Sequence, residues 1–214
     1  MAPHPLEQSA LPRVQDLHEA TLRLLGLLGN HRIETDLLQA GIDALVTLIG
    51  ARYGAIGLLD EAGHLQQFVY TGISAEQAAQ IGDPPQGKGL LGVVIQKNQV
   101  LNLEDLSAEP RSAGFPPHHP PMKSLLAVPI SYDGRVYGRV YLCDKLDGTA
   151  FNQQHDEFLV KQYADVLVLV LTQHRAQAHH TEAEEMLRRI ADATVGNTGS
   201  AFFRRLVLSV AETM

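Results

Sequence analysis

The chain has 214 residues, of which 45% are hydrophobic and 19% are charged, enough apolar material for one well-packed domain with residues to spare. This composition excludes collagen-like and disordered proteins. It also excludes disulfide-stapled proteins, because Cys143 is the single cysteine. A formal net charge of −7, with scattered lysines and arginines, argues against a nucleic-acid or anionic-membrane partner. Since no stretch is long and apolar enough for a membrane span or a secretory signal, we predict a cytoplasmic protein.

The N-terminal part is expected to be a tail followed by two helices. Residues 1–13 contain three prolines and few hydrophobic residues, which predicts a flexible tail. Leucines at near-helical spacing predict a first helix over 14–28 that ends at a Gly-Asn pair. A second apolar stripe predicts a helix that begins at Glu34 or Thr35 and ends near Gly50.

Short apolar runs then replace the helical spacing and predict a sheet. The runs over 55–59 and 65–70 are joined by Asp-Glu-Ala-Gly, which is typical of a hairpin. Three shorter elements are predicted after them: a helix over 74–81 capped by Ser74, a helix over 90–97 and a strand over 100–103.

Residues 107–123 hold five prolines and two histidines and show no periodicity. This pattern predicts a loop across the fold, where binding chemistry should be sought. The arms 124–132 and 135–145 flank Asp133-Gly134, a strong hairpin signal, and we expect this hairpin at the centre of the sheet.

A long helix is expected next, with Asn152 as its N-cap. It runs to about Arg175 and continues to Ala193 with a narrow apolar stripe suited to pairing with another helix. Residues 200–214 predict the start of a further amphipathic helix. We therefore expect a tail over 1–13, a domain over 14–175 and, over 176–214, a linker helix with the start of a further module, in a chain cut from a longer protein.

Three motifs in this order resemble a GAF domain over Ile33–Gln173: Gly-Lys-Gly-Leu-Leu-Gly at 87–92, Pro-Met-Lys-Ser-Leu-Leu-Ala-Val-Pro-Ile at 121–130, and Gly-Arg-Val-Tyr-Leu-Cys-Asp-Lys at 138–145 before Phe151. The resemblance implies an α+β fold: a central antiparallel sheet of about five to six strands, flanking helices and a long C-terminal signalling helix. It also implies a non-enzymatic sensory input module in bacterial signal transduction.

The family's Asn-Lys, Phe, Asp-Glu signature is drifted here and corresponds to Asp144, Lys145, Phe151, His155 and Asp156. The drift argues against cyclic-nucleotide recognition, and it leaves an ion pair between Lys145 and Asp156 as a structural remnant. Bilin attachment is disfavoured as well, because Cys143 lies in a strand and not in a pocket loop.

The loop Gly-Phe-Pro-Pro-His-His-Pro-Pro-Met at 114–122 resembles that of the haem-bearing first GAF domain of mycobacterial dormancy-system sensor histidine kinases. The resemblance implies non-covalent haem b, with His119 as the axial iron ligand and Tyr141 on the opposite face. Phe68 would line the pocket, and Phe115 and Met122 complete the predicted cofactor-binding set. Gly57 and Leu59 replace a polar pair that restricts a water path in those sensors. By the same resemblance the domain senses a diatomic gas or redox state for a downstream kinase or other effector.

Other interpretations stay open at this point. The proline-rich loop could be a rigid cap over an empty pocket or over another small molecule, and Tyr141 could be an ordinary strand aromatic. The domain could also be a ligand-free dimerisation module, and its paired helices make a homodimer our expectation either way. A cluster formed by His174, His179 and His180 is better explained as a solvated helix face than as a metal site.

Overall fold

The computed structural model describes residues 18–19, 21–22, 34–82, 98–110, 115–194, 207–208 and 211. The chain divides into two compact units, Met1–Leu171 and Thr172–Met214. The predicted tail and the predicted helix over 90–97 with its glycine-rich loop lie outside the described residues. So do most residues of the predicted first helix and of the predicted helix over 200–214, whose few described positions are helical.

The first unit alternates helices and strands in the predicted order. Its elements are α1 (Glu34–Ile49), β1 (Ala51–Leu59), β2 (Leu65–Thr71), α2 (Ala75–Ile81), β3 (Leu101–Leu103), β4 (Leu125–Tyr132) and β5 (Arg135–Lys145), followed by α3 (Asp156–Thr194), which continues into the second unit. Among the described residues, no helix combines the length and apolarity that a membrane span needs.

The strands form one antiparallel sheet in the order β2-β1-β5-β4-β3. The predicted hairpin of β4 and β5 is confirmed, with β5 in the centre. Strand β1 begins four residues earlier than predicted, at Ala51, which pairs with Lys145 of β5. The four residues over 51–54 form too short a pattern to predict a strand start, so pairing with the central strand sets this boundary.

One face of the sheet carries the main hydrophobic core. Residues of α1 and α3 pack in one buried cluster with residues of β1, β2, β4 and β5. Helix α1 approaches β1 so closely that a Cβ added at Gly54 would lie 2.3 Å from Cγ2 of Val46. The Tyr163 hydroxyl of α3 donates to the Gly41 carbonyl of α1 at 2.9 Å. The predicted α+β class, with helices packed on an antiparallel sheet, is confirmed.

The opposite face of the sheet, called the second face below, carries a smaller cluster. Its buried members are Leu106, Leu125 and Ala127, and the partly buried residues packed on them are Leu101, Leu103, Met122, Tyr141 and Cys143. The predicted loop over 107–123 supplies Met122, so its C-terminal part lies on the sheet as expected, and Leu106 directly precedes the loop.

Helix α3 begins at Asp156, later than the predicted cap at Asn152 implies. The Asn152 Oδ1 atom accepts hydrogen bonds from the backbone N–H groups of Gln154 and His155, at 2.8 and 3.1 Å. The Asn152 carbonyl also accepts from the Asp156 N–H at 2.9 Å. Asn152 therefore makes the hydrogen bonds of the predicted N-cap, at a turn over 153–155 that leads into the helix.

Candidate ligand site on the second face

The loop over 115–124 presents His119 in a fixed orientation. Its backbone N–H donates to the Pro116 carbonyl at 3.2 Å, which closes a turn. The imidazole stacks on the Phe115 ring, with centroids 4.6 Å apart and planes 13° apart. His118 beside it is exposed and has a φ of 66°, a strained backbone for a histidine.

One ring nitrogen of His119 is already occupied. Nδ1 lies 2.8 Å from the Pro120 carbonyl oxygen, and since a carbonyl can only accept, Nδ1 carries the proton. The proton on Nδ1 leaves the Nε2 lone pair as the acceptor of the neutral imidazole. Metal-ligating histidines are held in this way, because the other ring nitrogen donates to a backbone carbonyl or carboxylate.

The C-terminal end of the loop is tied to the sheet. Asp144 Oδ1 accepts from the backbone N–H groups of Lys123 and Ser124, at 2.9 and 2.8 Å. The Leu106 N–H donates to the Lys123 carbonyl at 2.7 Å. With Met122 packed into the second-face cluster, the residues that follow His119 are held against strands β4 and β5.

Tyr141 and Phe68 converge on the same side of the sheet. Gly57 of β1 pairs with Phe68 of β2, and a Cβ added at Gly57 would lie 3.6 Å from Phe68 Cδ2 and 4.0 Å from Tyr141 Cε2. Tyr141 pairs with Ala55 and Ala127, two small residues. Burial raises the pKa of Tyr141, so its hydroxyl stays protonated and able to donate.

Arg139 is a charged residue of this face that the sequence motifs did not indicate. It lies two residues before Tyr141 on β5 and is 2% exposed. Nε and Nη2 of its guanidinium have no hydrogen-bond partner among the described residues, and burial lowers the pKa of the group. An unsatisfied buried donor costs about 1–3 kcal/mol. Arg139, Tyr141 and Cys143 are alternate residues of one strand and therefore lie on the same face, which is the sequence feature that could have indicated Arg139.

Cys143 lies on the same face, and its environment makes the thiol unreactive. Burial raises the pKa of its thiol to about 12, with a smaller contribution from Asp144. A reactive cysteine requires a lowered thiol pKa, because the thiolate is the nucleophile. The environment of Cys143 therefore keeps the thiol protonated at neutral pH.

The predicted ion pair between Lys145 and Asp156 is confirmed. Lys145 Nζ donates to Asp156 Oδ2 at 2.9 Å, and the two side chains are 8% and 0% exposed. The same carboxylate oxygen accepts from the Asn152 N–H at 2.9 Å. The pair joins the end of β5, one residue beyond the loop anchor Asp144, to the first turn of α3.

The predicted site residues fall into two groups. Phe115 and His119 are in ring contact in the loop, while Tyr141 and Met122 pack on the same buried cluster and Tyr141 lies near Phe68 on the sheet. Within the described part of the chain, no hydrogen bond or ring contact joins His119 to Tyr141.

On α3, His179 and His180 are exposed and lie 3.9 and 3.5 Å from Glu182 and Glu184. The residues described hold no group of three potential metal ligands.

Comparison with known proteins defines the class. A family model for the GAF domain matches residues 32–172, and the chain belongs to that family. Over 123 residues it is 29% identical to the Nif-specific regulatory protein of Azorhizobium caulinodans, covering 56% of this chain and 20% of that protein. The chain thus matches about a fifth of that curated relative's length.

Solved GAF structures share the fold. The domain from the Coxiella burnetii phosphoenolpyruvate-protein phosphotransferase superposes with a TM-score of 0.62 at 17% identity, covering 77% of this chain and 98% of that one. The free methionine-R-sulfoxide reductase of Neisseria meningitidis gives 0.59 at 18% identity, covering 75% and 91%. The GAF fold therefore occurs in an enzyme as well as in regulatory proteins, and haem binding by this chain stays a prediction.

Proposed function

We propose that this GAF domain is the sensory input module of a bacterial signal-transduction protein and that it binds haem b non-covalently to sense a diatomic gas or redox state. The observation that supports it best is the His119 imidazole, with Nδ1 held by the Pro120 carbonyl at 2.8 Å and Nε2 left as the free ligand atom. A half-buried histidine on a proline-rich loop loses little entropy when it binds a metal.

The described residues fit such a group. His119 would hold the iron, Phe115 would keep the imidazole plane fixed, and Met122 and Phe68 would supply apolar contacts. The neutral Tyr141 hydroxyl would offer a hydrogen-bond donor on the sheet side. Haem b, when bound, supplies an iron that takes up diatomic gases and changes oxidation state.

The relay to α3 follows a short chain of contacts. Movement of the loop alters the bonds from Lys123 and Ser124 to Asp144. The next residue, Lys145, is paired with Asp156 at the start of α3. A ligand that favours one loop arrangement by differential affinity can thereby bias the helix, whose target in our proposal is a histidine kinase or another effector.

A non-catalytic role fits the chemistry better than a thiol-based reaction. The chain has one cysteine, and the pKa of Cys143 is raised to about 12 by burial. A redox-active thiol needs the opposite shift. The similarity of the Nif-specific regulatory protein over 123 residues supports a regulatory role as well.

The haem proposal is tested by titrating haemin into the apo-protein while the Soret band is recorded. We expect one equivalent to bind the wild type, and His119→Ala to weaken binding by at least about tenfold, as loss of metal-site contacts does. His118→Ala is the matched control, because His118 is exposed, and should bind as the wild type does. Retention of a wild-type spectrum in His119→Ala would overturn the assignment. Tyr141→Phe should keep haem and change its autoxidation rate.

A further inference from the structure

The second face buries a guanidinium that no anion within the described part of the chain neutralises. Arg139 is 2% exposed, and among the described residues no carboxylate pairs with it. Charged side chains are very seldom buried unless they are paired.

A second arginine on the same strand shows the contrast. Arg135 is half exposed, lies 3.6 Å from Glu61 and stacks over the Tyr137 ring at 5.1 Å. Strand β5 therefore carries one arginine with ordinary surface partners and one that has no anionic partner among the described residues. The second of these, Arg139, shares its strand face with Tyr141 and Cys143.

The two unsatisfied atoms identify the chemistry of that partner. They are Nε and Nη2 of Arg139, which lie on one edge of the planar guanidinium and donate in parallel. A carboxylate accepts two parallel N–H bonds in this bidentate arrangement, whereas a point-like anion uses the edge less well. Tyr141 adds a hydroxyl close to the same guanidinium.

We propose that Arg139 and Tyr141 form a carboxylate-binding subsite on the second face, and that the ligand of this domain carries a carboxylate. The carboxylate belongs either to a free organic acid or to a haem propionate. The inference rests on the proposed function only in the second case. Either source satisfies both donors and gives the buried charge its counterion.

The first arm of the test uses benzoate, with uncharged benzamide as the isostere, titrated into the apo-protein by calorimetry. We expect benzoate to bind at least about tenfold more tightly than benzamide, the ratio that corresponds to one strong charged hydrogen bond. Arg139→Gln should abolish the preference, and Arg135→Gln should keep it. Arg139→Gln should also fold, because it removes a buried unpaired charge, and its apo form should melt no lower than the wild type.

The second arm compares haemin with haemin dimethyl ester, which lacks free propionates. If the propionate is the partner, the wild type prefers haemin by at least about tenfold, and Arg139→Gln binds both equally. A wild type that binds no haemin would overturn the haem proposal. The benzoate arm alone would then test whether Arg139 and Tyr141 bind a carboxylate. Absence of a carboxylate preference in both arms, or a preference that survives in Arg139→Gln, would overturn the subsite.

Discussion

At the scale of single residues, burial controls the chemistry of the second face. It raises the pKa values of Cys143 and Tyr141 and lowers that of Arg139. All three shifts favour the uncharged form, as expected where charge is poorly solvated. A face of this kind suits a ligand that is largely apolar and brings one compensating negative group.

Cys143 makes this environment measurable. Its thiol pKa is about 12 in the folded state against 9.0 ordinarily, so between these pH values the folded chain retains a proton that the unfolded chain has lost. Stability must therefore fall as pH rises above 9, by about 1.4 kcal/mol at pH 10 from this group. Denaturant unfolding at pH 8 and pH 10 should show a smaller loss for Cys143→Ala than for the wild type. Equal losses would contradict the buried thiol.

At the scale of elements, the end of β5 is the junction of the domain. Asp144 holds the loop, and Lys145 holds the first turn of α3 through Asp156. The Asn102 side chain also donates to the Phe151 carbonyl at 3.2 Å, which ties edge strand β3 to the segment before α3. A few polar contacts thus tie the loop, strand β3 and the start of α3 to the rest of the domain.

Loss of one partner of the buried pair should be costly. Lys145→Met leaves the Asp156 carboxylate buried without its cation, and we expect a loss of about 3–5 kcal/mol in the free energy of unfolding. Lys161→Met breaks the more exposed pair with Glu157 and should cost at most about 1 kcal/mol. Denaturant titration measures both. Similar small losses in the two variants would show that the buried pair contributes little, and Lys145→Met/Asp156→Leu should recover part of the loss.

Turn chemistry and periodicity predict most elements here, and tertiary contacts explain the exceptions. Asp133-Gly134 set the β4–β5 hairpin, and strand β5 matches its predicted limits of 135 and 145. The start of β1 at Ala51 depends on pairing with β5, which no local pattern encodes. Arg139 was missed because an arginine in a strand is expected to face water, whereas here its side chain is buried. The bond between His119 Nδ1 and the Pro120 carbonyl likewise depends on loop geometry.

At the scale of the whole molecule, the second unit offers a surface for self-association. In residues 172–194 of α3, Met186 and Leu187 are 43% and 66% exposed. They belong to the narrow apolar stripe that is typical of helices paired in a coiled coil. We propose that the chain is a homodimer and that this stripe is the contact.

A charge in the stripe should separate the protomers. We expect the wild type to be a dimer by size-exclusion chromatography with light scattering, and Leu187→Glu to shift it to a monomer, because a buried charge at a helix pair is unfavourable. Gln177→Glu adds the same charge at another exposed position of α3 and should stay dimeric. A monomeric wild type, or a dimeric Leu187→Glu, would contradict this assignment.

The haem-sensor account is tested most directly by the absorption spectrum of the full chain, expressed with haem supply, before and after dithionite and then carbon monoxide. The account predicts a Soret band that shifts on reduction and shifts again with carbon monoxide, since a histidine-ligated haem leaves one iron position for a gas. A spectrum with protein absorbance alone would contradict it.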